Sequence, residues 1–151
     1  MYTYIAPIER IEQALRQTES DILDLFESGV PVLGGIFPVE TLEWLARNVL
    51  GVARALESVP TECGTGPICA QLHPEFVRWL ANATSESLLD AGADWAHQDY
   101  WILHEINPMD LAGTLLEMGA MCAFAKRARM TVWVYWFGTD LDHSTDPPDW
   151  R

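Results

Sequence analysis

Residues 107–137 read NPMDLAGTLLEMGAMCAFAKRARMTVWVYWF, and this stretch decides the fold. Its first four residues are a helix start. Asn107 can cap, Pro108 suits the first turn, where its missing N–H costs nothing, and Asp110 sets a negative charge beside the positive end of the helix dipole. Between positions 111 and 125 the only charge is Glu117. The predicted helix over 108–129 is therefore apolar on nearly every side, as a helix at the centre of a bundle must be. Ala112, Gly113, Gly119, Ala120 and Ala123 are small enough to let neighbours approach closely. Lys126, Arg127 and Arg129 favour the negative end of the dipole. Residues 131–137 then change character: TVWVYWF is β-branched and aromatic throughout, the one strong strand signal in the chain. A strand must pair, and the partners on offer are residues 2–5 and the stretch around Val32.

Working towards the N-terminus, helical patterns continue. A helix is predicted from a Ser85 cap to about Ile106, and a shorter one from Pro74 to about Ala83 with Phe76, Val77 and Leu80 inward. Residues 60–72, rich in Gly and Pro, read as an exposed loop. Leu42, Leu45, Val49, Val52 and Leu56 form an apolar stripe that predicts a helix over 38–58, bounded by Pro38 and Pro60. Residues 30–37 are apolar but interrupted by Pro31, Gly34 and Gly35, which suits a buried connection or a short edge strand. Ile8, Ile11, Leu15, Thr18, Ile22 and Leu25 predict a first helix over 7–28, with Pro7 in its first turn and Gly29 just past its end. The fold expected is mainly α. It is a compact bundle of about five helices with a small two- or three-stranded β element near the termini, an α+β arrangement being the alternative. Residues 1–138 form one globular domain, and 139–151 an acidic, Pro-containing tail.

Composition bounds the function. Nine Lys and Arg against 22 Asp and Glu give a formal net charge of −13 over 151 residues. Phosphate binding draws its affinity from Lys and Arg, so direct nucleic-acid or anionic-membrane binding is not expected. No apolar run is long enough to span a bilayer, and residues 1–7 carry no basic, then apolar, leader pattern. With three cysteines (Cys63, Cys69 and Cys122), the expectation is a reduced, cytoplasmic protein of bacterial or phage origin.

Several constellations carry chemistry, each beside a plainer reading. Asp94, His97, Trp101 and His104, spaced three, four and three, share one helix face, with Tyr100 and Glu105 flanking. Asp94, His97 and His104 are a metal or acid–base candidate, the alternative small enzyme. However, residues seven apart on a helix are separated by roughly 10 Å, long for one zinc, and a polar, aromatic surface face is the plainer reading. Cys63 beside Glu62, with His73 further on, is a thiol–base candidate without the strand–turn–helix context that such a nucleophile needs. The acidic tail has calcium-type spacing at Asp140, Asp142, Ser144 and Asp146, but neither the glycine nor the closing acid. Glu117 is either a perturbed acid or a solvated one. No cofactor motif is present.

What remains is an acidic chain with seven tryptophans. Negative charge steers a protein towards a basic partner, and Trp is a favoured interface anchor. The expected function is a non-enzymatic inhibitor of one basic cytoplasmic protein, a toxin or nuclease-type effector, as an immunity protein, an antitoxin or a phage counter-defence inhibitor. The expected contacts are Glu40, Glu43 and Trp44 on one helix, and Asp94, Trp95, Asp99 and Trp101 on another. The third reading is a structural homodimer paired through strand 131–137. Plain solubility accounts for negative charge as well.

Overall fold

The computed structural model describes residues 3–9, 29, 31–35, 37–57, 61–62 and 67–137. Its element order is β1 (Thr3–Pro7), β2 (Leu33–Gly35), α1 (Glu40–Asn48), β3 (Thr61–Glu62), β4 (Pro67–Gln71), α2 (Pro74–Asn82), α3 (Ser85–Trp95), α4 (Asp99–Leu103), α5 (Pro108–Ala128) and β5 (Val132–Phe137). The architecture is mixed α+β rather than a helical bundle: a five-stranded antiparallel sheet in the order β2-β1-β5-β4-β3, packed against helices.

The decisive stretch folds as its chemistry dictates. The Asn107 side chain accepts a hydrogen bond from the Met109 amide (3.0 Å), and Pro108 opens α5. The helix ends at Arg129, which is left-handed at φ 56°. The chain turns directly into β5, the centre of the sheet, with Val134 opposite both Ile5 of β1 and Ala70 of β4. α5 packs on α3, α2 and β1. Leu115, Met118, Cys122 and Ala125 along it are fully buried, and they join Ile5, Val132 and Val134 of the sheet in one core. The α3–α5 crossing is very close, because a Cβ built on Gly92 would stand 2.3 Å from the Ala112 Cα.

Several expectations are corrected. Pro7 closes β1 instead of opening a helix, and the Ile8 amide bonds to the Thr131 carbonyl at 2.9 Å. Residues 10–28, on which the rest of the first helix was expected, lie outside the described residues, as do Cys63 and the tail 139–151. The second helix ends at Asn48, about ten residues early. Its last turn widens, with Leu50 and Val52 amides reaching the Leu45 and Ala46 carbonyls, and Gly51 at φ +66° turns the chain away. Val49, Val52 and Leu56 still pack against the core, but from an irregular segment. Within the expected loop 60–72, residues 61–62 and 67–71 are strands, and β4 fills the second edge of β5. Among the described residues the sheet thus holds five strands, not two or three. β2 does form the edge strand allowed for over 30–37, though it pairs with β1, not with β5. Thr84, not Ser85, caps α3, accepting from the Ser87 amide at 3.1 Å.

The predicted helix over 85–106 is two helices, α3 and α4, parted at residues 96–98. The cause is aromatic. Trp95 and Trp101 are both buried and meet edge to face at 5.1 Å, with Phe37 at 6.1 and 6.0 Å. On one continuous helix, residues six apart point roughly 120° away from each other. Only a break lets both indoles enter the same core.

Candidate interaction surface

The break between α3 and α4 sends the next stretch of chain to the surface. Once Trp101 turns inward, its neighbours turn outward: Leu103 is 78% exposed, Met109 70%, Ile102 60% and Ile106 37%. Four large apolar side chains thus stand in solvent within eight residues, where scattered single ones would be ordinary. Asp94, Asp99, Glu105 and Asp110, all exposed, lie in the same stretch of chain. Between positions 79 and 125 there are seven carboxylates (Glu86, Asp90, Asp94, Asp99, Glu105, Asp110, Glu117) and no Lys or Arg. The exposed apolar residues therefore lie in a stretch of chain that holds carboxylates and no Lys or Arg.

The backbone and the buried polar atoms of this segment are unusually stressed. Glu105 adopts φ 52°, a left-handed conformation that costs a residue with a side chain on the order of 1 kcal/mol or more. The Trp101 Nε1 and the Gln98 Oε1 are buried without a hydrogen-bond partner, whereas such groups are normally satisfied. Tyr100 meets the His104 ring at a tilt at 4.4 Å and Trp101 edge to face at 4.9 Å, and burial pushes its phenol above the ordinary value.

The expected site residues separate into surface and interior. Glu40, Asp94 and Asp99 are exposed. Trp95 and Trp101 are core and offer no anchor to a partner. The Trp95 Nε1 donates to the Thr41 carbonyl at 3.0 Å, tying α3 to α1. Trp44 is half-buried against the core. Glu43 has an internal task, its Oε1 accepting from the Leu56 amide at 2.9 Å to hold the irregular segment after α1. Its Oε2 lies 3.5 Å from the Arg47 guanidinium but accepts no hydrogen bond, so that contact is a weak charge pairing only. Of the seven tryptophans, Trp136 is also buried and Trp79 and Trp133 are partly so, so the surplus mostly builds interior rather than interface.

The metal alternative does not assemble. Asp94 lies in the last turn of α3, His97 sits in the break and His104 follows α4, and the His97 Nδ1 faces the Asp94 backbone carbonyl at 3.3 Å. Among the described residues, no three His, Cys, Asp or Glu side chains are grouped to hold a metal ion. His73 caps α2 through Nδ1, accepting from the Glu75 amide at 3.3 Å, while Nε2 lies 3.5 Å from Glu57 Oε2. Cys69 is disulfide-bonded, contrary to the reduced cysteines expected, and Cys122 is free and buried. Glu117 is solvent-exposed. The dimer route through β5 is closed as well, since both edges of that strand are paired within the chain. No helix among the described residues is long and apolar enough to cross a membrane.

Reading by periodicity missed Ile102, Leu103, Ile106 and Met109. The available signal was the run of 47 residues without Lys or Arg, in which any exposed apolar residue has only acids as its charged chain neighbours. Compared with known protein families, curated proteins and solved structures, the chain matches none.

Proposed function

We propose that the chain is a non-enzymatic inhibitor that binds one basic protein, a toxin or nuclease-type effector, and covers its active site or nucleic-acid channel. One observation carries the reading: four exposed apolar side chains, Ile102, Leu103, Ile106 and Met109, in a stretch whose charges are all negative. Apolar contact area supplies binding energy, and the carboxylates select and steer a partner that presents Lys and Arg around an apolar recess. Asp94 and Asp99 remain contacts in this reading. Glu40 remains an exposed acid on α1 in this reading, and the apolar anchors replace Trp95 and Trp101.

The test is capture of partners by the full chain, alongside Leu103→Ser and Asp99→Lys/Glu105→Lys variants, followed by titration of the purified partner's activity. The reading expects a partner retained by the wild type and lost by both variants, binding that weakens as salt rises, and inhibition that saturates at one equivalent. A partner held equally by all three proteins, or one whose activity is unchanged at saturation, overturns it.

A further inference from the structure

The opposite end of α5 reverses the chemistry of the acidic patch. There Leu72, Pro74, Val77, Ala81, Met130 and Val132 wall an open cavity of about 260 Å³ between α2, the last turn of α5 and the ends of β4 and β5. Among the described residues, its ionisable lining residues are Arg78 and Lys126, with no carboxylate beside them. In a chain with 22 acids and nine bases, an apolar cavity whose described lining carries two cations and no acid is a local inversion of charge. Both cations are exposed, and among the described residues neither forms an ion pair. Lys126 donates to the Asn82 Oδ1 at 2.7 Å, which anchors the ammonium to α2 and leaves further N–H groups for a ligand. Arg127 and Arg129, also exposed, stand next along the same turn and add to the positive field.

We infer that this cavity binds a small amphipathic carboxylate, a medium-length alkyl chain ending in one anionic group. The chain fills the space against Leu72, Val77, Ala81 and Met130, while the carboxylate meets Arg78 and Lys126 at the surface. The cavity is slightly below the usual range for ligand sites, so the ligand is correspondingly small. This inference is independent of the proposed partner, which uses the other end of α5.

The experiment titrates the full chain with decanoate, using calorimetry and methyl NMR, against decanol (the tail without the charge) and acetate (the charge without the tail). Saturable 1:1 binding of decanoate is expected, with shifts concentrated on Val77, Ala81 and Met130. Decanol and acetate should bind at least about tenfold more weakly, and Arg78→Gln/Lys126→Gln should weaken decanoate by about tenfold, as loss of a charge-assisted hydrogen bond does. Met130→Trp, which narrows the cavity from an exposed wall, should abolish it. Circular dichroism checks that these surface variants fold. Equal affinity for decanol and decanoate, shifts scattered over other methyls, unchanged binding in the variants, or no saturable binding each overturns the inference.

Discussion

Gly92 shows how far one residue can decide the packing. Its missing side chain is what allows α3 to approach the Ala112 backbone, and the two nearest atoms in the way of an added methyl belong to main chain, which cannot swing aside. Gly92→Ala gains helix propensity of about 1 kcal/mol but forces two helices apart, a strain typically of about 1–3 kcal/mol. A net loss of stability is expected in urea unfolding, and an equal or more stable variant would show that the crossing is looser than described. Cys122, in the same layer, is buried deeply enough to push its thiol to about 12 from 9.0. The folded state therefore keeps the proton that the unfolded chain gives up near pH 9. The contribution is complete below that pH and is lost progressively as pH rises towards about 12, with a slope of at most about 1.4 kcal/mol per pH unit. Stability of the wild type should fall more steeply over pH 9–11 than that of Cys122→Ala, and iodoacetamide should label Cys122 only on unfolding. Parallel pH profiles for the two proteins would refute the shift. Neither Gly92 nor Cys122 announces its role in sequence, because a role set by a neighbour 20 or 30 residues away has no local signature.

At the scale of elements, α5 and α4 are opposites. The start of α5 was legible residue by residue in Asn107, Pro108 and Asp110, because capping is a contact between neighbours in the chain. Asn107→Ala should cost about 1 kcal/mol in thermal or urea unfolding, with the loss confined to stability. An unchanged midpoint would mean that the cap is replaced by water at no cost. The boundary between α3 and α4 was not legible. Residues 85–106 satisfy a helical pattern, and only the demand of two indoles and Phe37 for one site overrides it. The same break turns Ile102 and Leu103 outward, so the candidate surface was as hidden as the break that creates it. The expected helix over 38–58 failed for a related reason: Leu56 fits the apolar stripe by spacing, but its partial burial comes with a β-bridge to the distant Leu72.

Over the whole molecule, charge is segregated along α5, which is roughly 30 Å long. Its first end lies in the stretch without cations, and its last turn carries Lys126 and Arg127. A net charge of −13 on 151 residues also works against the compact state through self-repulsion. Raising salt from about 10 mM to 150 mM shortens the screening length from about 30 Å to about 8 Å, so the melting temperature should rise. A fall would show that attractive pairs outweigh the repulsion, which two ion pairs among the described residues make a poor expectation. By itself the sequence determined the elements whose causes are local, namely α5 with its N-cap, the strand character of 132–137, the short helix from Pro74, and the sign of the net charge. Tertiary structure alone decided that β5 is the middle of five strands, that Trp95 and Trp101 are core, and that Ile102, Leu103, Ile106 and Met109 are surface. The reason is physical. Capping, propensity and charge are fixed between near neighbours in the chain, whereas burial and strand pairing are settled by competition among distant residues for the same space.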